Sequence, residues 1–70
     1  MTEREFLQIL STIRAIDGVR ILDVPVANTS FDSFDLLMFR AALETRLGTR
    51  ISDDVWTGAQ SLRALLNAMP

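Results

Sequence analysis

The sequence predicts an all-α protein, a small bundle in which three full helices and one short helix are joined by loops. Three observations lead to this prediction. Apolar residues recur at helical spacing in three segments of the chain. Glycines and prolines separate those segments. The one segment with strand character has no second strand to pair with, so a sheet is not expected.

The first helix is predicted from Thr2 to Ile16. Thr2 and Glu5 have the spacing of a capping box, in which two side chains accept hydrogen bonds from free backbone N–H groups at the start of a helix. Asp17-Gly18 should end the helix, because glycine readily adopts the left-handed conformation found there. The apolar stripe of this helix consists of Phe6, Ile9, Leu10, Ile13 and Ile16.

Residues 19–32, VRILDVPVANTSFD, are predicted to form a long loop. Pro25 and a run of turn-forming residues follow a short β-branched stretch, and a strand over residues 19–24 would lack a partner. Loops of this length inside a small domain are uncommon and often functional. The loop should be held to the core by Ile21, Leu22, Val24 and Phe31.

The second helix is predicted from Ser33 to Leu47, ending at Gly48, and it has two apolar stripes. The longer stripe should face the core. The shorter stripe on the opposite side has two interpretations: a second packed face, or an exposed docking surface bordered by charges that include Asp35 and Arg40. The longer stripe contains Leu36, Phe39, Leu43 and Leu47, and the shorter one Phe34, Leu37, Met38 and Ala41.

The rest of the chain is predicted to hold one short turn of helix at Asp53 to Trp56 and a last helix from Ala59 to Met69. Trp56 is expected to pack in the core beside the last helix. The adjacent carboxylates of Asp53 and Asp54 give too few ligands for a metal site, so we interpret them as a helix start and expect no metal.

Composition excludes several functions. The 70 residues should form a single domain over 1–70. They include no cysteine and no histidine, which removes cysteine nucleophiles and the commonest general base. We therefore expect no enzyme activity. Net charge −2 argues against nucleic-acid binding. No apolar run approaches the about 20 residues that span a bilayer. We expect a cytoplasmic monomer that does not bind membranes.

The segment SFDSFDLLMF places Ser33 between Asp32 and Asp35 at the start of the second helix. Taken without context, Ser33 is a plain N-cap residue, which contributes about 1 kcal/mol. The other interpretation is that its hydroxyl is a site of modification. Ser30, which also precedes a phenylalanine, is a weaker candidate, because it lacks a preceding aspartate and lies a turn too early.

Asp32-Ser33-Phe34, opening an amphipathic helix after a long loop in a small acidic helical chain, resembles the Asp-Ser-Leu motif of acyl carrier proteins and peptidyl carrier (thiolation) domains. Three later segments also resemble the family: Ala42-Leu43-Glu44 in the second helix, Ile51-Ser52-Asp53-Asp54 before a short third helix, and the stretch from Trp56 to Leu62 before the last helix. The resemblance covers about the whole chain. It implies a four-helix bundle of acyl-carrier-protein type with a long first loop and a short or vestigial third helix.

The resemblance also implies a function. Ser33 would carry 4′-phosphopantetheine taken from coenzyme A, and Asp32 would help the modifying enzyme to recognise the site. The thiol of that arm would hold an acyl or aminoacyl group as a thioester for a fatty-acid, polyketide or nonribosomal peptide pathway. The implied partners are a phosphopantetheinyl transferase, a loading enzyme (an acyltransferase or an adenylating ligase) and downstream synthase enzymes.

The chain departs from the family pattern at two motif positions. Ser30 stands where a glycine is frequent, and Phe34 replaces the usual leucine or isoleucine. These departures leave the hydroxyl unchanged but weaken inferences about partners. Two alternatives remain: an unmodified helical adaptor that only docks partners through the shorter stripe, and, with little support, a hydrolase built on a Ser-Asp site.

Overall fold

The computed structural model describes residues 1–16 and 18–70. It contains four α-helices, which we label in chain order, and two short 3₁₀ helices between the first and second of them. Their bounds are α1 Glu3–Ile13, 3₁₀ helices Gly18–Asp23 and Val26–Asn28, α2 Ser33–Leu47, α3 Asp53–Gly58 and α4 Leu62–Asn67. The predicted all-α bundle with a short third helix is confirmed.

Helix α2 has the bounds that the sequence predicted, and both of its ends are capped. The Asp32 side chain accepts a hydrogen bond from the backbone N–H of Asp35 at the start. Gly48 ends the helix at φ 71°, and its N–H donates to the carbonyl of Glu44. A left-handed conformation is easy for glycine and strained for other residues, which explains the sharp stop.

Helix α1 is shorter than predicted. Thr2 caps it as expected, accepting from the N–H of Glu5 at 3.1 Å. The Glu5 carboxylate, however, accepts from the Thr2 hydroxyl and not from a backbone N–H, so only half of the capping box forms. The helix ends at Ile13 instead of Ile16, because Arg14 adopts an extended conformation. Asp17, which the sequence predicts to end the helix together with Gly18, lies outside the described residues.

Helix α4 is also shorter than predicted, running over Leu62–Asn67 instead of Ala59 to Met69. Ser61 is its N-cap and accepts from the N–H of Ala64 at 3.1 Å. Ala59 is extended, and the carbonyl of Gln60 accepts a hydrogen bond from Val26 in the long loop. This tertiary contact holds the residues before Ser61 out of the helix. Helix α3 continues two residues beyond the predicted Trp56, to Gly58.

The long loop is more ordered than the sequence indicated. It folds into the two 3₁₀ helices, and an isolated bridge joins Pro25 to Ser61. Leu22 is fully buried, while Ile21 and Phe31 are half-buried against the core, as predicted. In the part of the chain that the structure describes, no strand forms, so the possible strand over residues 19–24 is wrong.

The core lies between α1, α2, α4 and the first 3₁₀ helix. At its centre the rings of Phe6 and Phe39 form a T-shaped pair, with centroids 5.1 Å apart and planes at 81°. The ring of Trp56 lies 6.3 Å from the ring of Phe39, centroid to centroid, with the planes tilted by 52°. Trp56 is half-buried against the core, as predicted. The buried apolar side chains are Phe6, Leu10, Leu22, Phe39, Leu43, Ile51, Leu62 and Leu65.

No helix in the described ranges has both the length and the apolar character that crossing a membrane requires.

The packing at the centre of the core can be tested by replacing Phe39. A chain of this size has a free energy of unfolding of about 4–10 kcal/mol. We expect Phe39→Ala to lower it by about 3–5 kcal/mol, because a large aromatic side chain leaves a cavity among α1, α2 and α3. Urea denaturation followed by circular dichroism measures the change. The matched control is Phe34→Ala in the same helix, where the side chain is 67% exposed and the expected loss is below about 1 kcal/mol. Similar losses in both variants would contradict the packing.

Candidate functional site

The start of α2 brings Asp32, Ser33 and Asp35 together, and a reciprocal pair of hydrogen bonds fixes their arrangement. The N–H of Asp35 donates to Asp32 Oδ1 at 2.8 Å, and the N–H of Asp32 donates to Asp35 Oδ2 at 3.3 Å. The two aspartates therefore form the capping box of this helix. The interpretation of Ser33 as the N-cap is wrong: Asp32 occupies that position, and Ser33 is the first residue of the helix.

The hydroxyl of Ser33 is consequently free. Its side chain is exposed, and it forms no hydrogen bond with any residue that the structure describes. The backbone N–H groups of Ser33 and Phe34 likewise find no backbone acceptor within the described ranges. Free N–H groups at the positive end of a 15-residue helix favour a bound anion such as a phosphate. The site thus combines an accessible hydroxyl with N–H groups that would stabilise an anion beside it.

The two phenylalanines of SFDSF have opposite surroundings. Phe31 is half-buried against the core, whereas Phe34 is 67% exposed. Phe31 therefore fixes the end of the loop, while Phe34 lies on the surface directly after Ser33. Ser30 is exposed in the loop before Phe31, outside the helix.

Arg14 is a residue of the site that the sequence analysis missed. Its Nη1 donates to Asp35 Oδ2 at 2.9 Å and links the end of α1 to the start of α2. This hydrogen bond is the main reason that the pKa of the Asp35 carboxyl is lowered, and the N–H of Asp32 adds to the effect. No local sequence pattern predicts this ion pair, because the two residues are 21 positions apart.

The predicted exposed stripe is present on α2, and we call Phe34, Leu37, Met38 and Ala41 the exposed stripe. Phe34, Leu37 and Met38 are exposed by 67%, 64% and 41%. The opposite side of the helix contains the buried Phe39 and Leu43. The interpretation of the shorter stripe as a second packed face is therefore wrong, since these side chains face outward.

Arg40 lies to one side of the exposed stripe and holds the segment before α3. Its Nη2 donates to the carbonyl of Ile51 at 2.6 Å and to Asp53 Oδ1 at 2.7 Å. The guanidinium also lies 5.7 Å from the centre of the Trp56 ring, within cation–π range. Glu44 completes this cluster by accepting from the N–H of Ile51 at 2.8 Å. Hydrogen bonding to Asp53 is the main cause that raises the pKa of Arg40.

The structural role of Arg40 was not predicted from the sequence, and neither was the pairing of Asp35 with Arg14. The capping role of Asp35 agrees with the sequence, which favours a carboxylate at the start of α2. The sequence also assigns both residues to the border of a docking surface. Their side chains are only 23% and 16% exposed, and each is engaged inside the molecule. A docking role for either residue stays a prediction.

Among the concave regions that border α2, two lie along its length, and a smaller one of about 260 Å³ lies at its end next to Leu47. The first is an open groove of about 480 Å³ that contains Leu37, Arg40, Ala41 and Glu44 on the helix and residues 50–53 opposite. The second is a cavity of about 310 Å³ next to α3. It is lined by Val26, Leu36, Trp56, Thr57, Ala59, Ser61, Leu62 and Leu65.

The described residues contain no cluster of three or more acidic side chains placed to hold a metal ion. The Asp53-Asp54 pair starts α3, and Ser52 caps that helix by accepting from the N–H of Val55.

Comparison with known proteins gives one family. A family model described as the phosphopantetheine attachment site matches residues 2–69. No curated protein and no solved structure matches the chain significantly. The matched range includes the free hydroxyl at the start of α2 and both concave regions along its length.

The capping assignment can be tested with two neighbouring substitutions. We expect Asp32→Ala to lower the free energy of unfolding by about 1 kcal/mol, because it removes the acceptor for the N–H of Asp35. Ser33→Ala should change it by less than about 0.5 kcal/mol, because the serine hydroxyl has no partner to lose. Urea denaturation measures both. A larger loss for Ser33→Ala would show that serine is the cap in solution.

The ion pair of Arg14 and Asp35 predicts a pH dependence. Folding lowers the pKa of the Asp35 carboxyl, so the charged carboxylate stabilises the folded state at any pH above the ordinary aspartate pKa. This contribution is lost as the pH falls below about 4 and the carboxylate takes up a proton. We expect the urea midpoint to fall over this range, and Asp35→Asn to make the fall shallower. Asp54→Asn, at an exposed carboxyl, is the matched control. If the urea midpoint of Asp35→Asn fell with pH as steeply as that of wild type, the ion pair of Arg14 and Asp35 would be contradicted.

Proposed function

Because the chain belongs to the family with a phosphopantetheine attachment site, we propose that Ser33 is the residue that carries the 4′-phosphopantetheine arm. Members of this family attach that group covalently and act as carriers, generally without catalytic activity of their own. The observation that supports Ser33 is its free, exposed hydroxyl at the first position of α2, where two aspartates perform the capping. The matched range suggests that residues 1–70 form a single carrier domain.

The attachment step needs little from this chain. Ser33 Oγ attacks the phosphorus next to the pantetheine of coenzyme A, an O–P bond forms, and the phosphoanhydride bond breaks to release adenosine 3′,5′-bisphosphate. The hydroxyl proton passes to a base on the transferase, since the sequence contains no histidine. The N–H groups of Ser33 and Phe34 are available to stabilise the phosphodiester. Asp32 holds the serine in place through the helix cap.

The attached arm supplies a thiol, which holds an acyl or aminoacyl group as a thioester. We propose that the chain presents this cargo to enzymes of a polyketide, fatty-acid or nonribosomal peptide pathway. Its partners are then a phosphopantetheinyl transferase, a loading enzyme and downstream synthase enzymes. The exposed stripe beside Ser33 is the surface that those enzymes meet. An adaptor that is never modified is not favoured, because members of the matching family attach phosphopantetheine.

Intact mass spectrometry tests the attachment. The protein is incubated with coenzyme A and a broad-specificity phosphopantetheinyl transferase. We expect wild type and Ser30→Ala to gain the mass of one phosphopantetheine and Ser33→Ala to gain none. Circular dichroism shows whether each variant is folded. A folded wild type without the gain, or a modified Ser33→Ala, would refute the assignment.

A further inference from the structure

Arg14 brings a positive charge to the helix start that contains Ser33. It follows the last residue of α1, and its extended backbone ends that helix. Its Nη1 donates to Asp35 Oδ2 at 2.9 Å, and the same oxygen accepts from the N–H of Asp32, the residue before Ser33, at 3.3 Å. A chain of two hydrogen bonds therefore connects the guanidinium to the backbone next to Ser33.

The guanidinium of Arg14 has capacity for a second acceptor. An arginine side chain has five N–H donors in a planar fork, and this one makes a single hydrogen bond with the described residues. The side chain is 45% exposed, so a group at the surface can contact the remaining donors. The pair with Asp35 therefore holds the guanidinium in place without using all of its donors.

The carboxylates at this helix start outnumber the arginines. Asp32 is exposed and has no arginine partner among the described residues, while Asp35 pairs with Arg14. A phosphodiester on Ser33 would add a further negative charge near these carboxylates, and like charges repel. The positive end of the helix and its free N–H groups offset part of this repulsion. Arg14 is the arginine that the structure places where it can offset more of it.

We propose that Arg14 binds the phosphodiester of the arm once Ser33 is modified, with its guanidinium shared between a phosphate oxygen and Asp35. This inference rests on the proposed function, because it assumes that Ser33 carries 4′-phosphopantetheine. A guanidinium binds phosphate oxygens through charge-assisted hydrogen bonds, which are stronger than those between neutral groups. The contact connects the attached end of the arm to the end of α1.

The test compares urea midpoints before and after modification, at about 150 mM NaCl. The modified form is made with coenzyme A and the broad-specificity transferase, and intact mass confirms one phosphopantetheine on each chain. We expect Arg14→Gln to lower the midpoint of both forms, because the pair with Asp35 is lost. The modified form should lose about 0.5 M more than the unmodified form. Equal losses in the two forms overturn the inference.

Arg46→Gln is the matched control. Arg46 pairs with Glu5 and so also links α2 to α1, but it lies about 20 Å along the helix from Ser33. That distance exceeds the screening length of about 8 Å at this salt concentration. We expect the losses in the two forms to agree within about 0.2 M. An extra loss in the modified form as large as that of Arg14→Gln would show a general charge effect and overturn the inference.

A second background separates direct binding from an effect through Asp35. In Asp35→Asn, the carboxylate that Arg14 neutralises is removed from both forms. Adding Arg14→Gln to this background should still cost the modified form about 0.5 M more than the unmodified form. An extra loss that disappears here would show that Arg14 acts only by neutralising Asp35, which overturns direct binding.

Nuclear magnetic resonance gives a readout that needs no modified variant. The side-chain Nε–H signal of Arg14, assigned by its absence from unmodified Arg14→Gln, should shift when wild type is modified, whereas that of Arg46 should not. An unshifted Arg14 signal overturns the inference, even if Arg14→Gln resists modification. If wild type gains no phosphopantetheine, or Ser33→Ala gains it, the proposed function fails and this inference with it. A wild type modified at Ser33 without these effects of Arg14 refutes the inference alone.

Discussion

The packing of Phe39 sets the rotation of α2 about its own axis, and most of the surface follows from that rotation. The ring packs against both Phe6 of α1 and Trp56 of α3, so it joins three helices. With this side chain inside, the residues on the opposite side of the helix must face solvent. The exposure of Phe34 and Leu37 is thus a geometric consequence of burying Phe39, in a helix that is apolar on two sides.

The polar contacts at the start and in the middle of α2 are separate from the hydroxyl that we propose as the attachment site. At the start, carboxylates satisfy the helix and leave Ser33 without a partner. Further along, Arg40 links α2 to the carbonyl of Ile51 and to Asp53, which orients α3. Under the proposed assignment, the side chain that is modified is not one that stabilises the helix, so a substitution at Ser33 need not damage the fold.

The features that could be predicted from the sequence are those that local residue patterns determine. Helix α2 has strong signals at both ends, a cap before it and Gly48 after it, and both of its bounds were correct. The exposed stripe followed from helical spacing alone. The family motif was visible from Asp32 to Phe34, although the attachment at Ser33 stays a prediction.

The remaining errors arose where distant residues decide the local structure. Helix α1 ends early as Arg14 turns toward Asp35, and α4 starts late as Gln60 bonds to the long loop. The choice of Asp32 over Ser33 as cap was also open, since both residue types are good caps. Cytoplasmic location and the monomeric state are not decided by the fold and stay predictions.

Trp56 gives the protein a built-in optical reporter. It is the single tryptophan of the chain, and it lines the cavity beside α3 while Arg40 lies over its ring. Indole emission depends on the polarity and the electric field around the ring. A displacement of α3, or a group entering that cavity, would change both at once. The emission spectrum of the unlabelled protein therefore reports, in real time, on α3 and the cavity beside it.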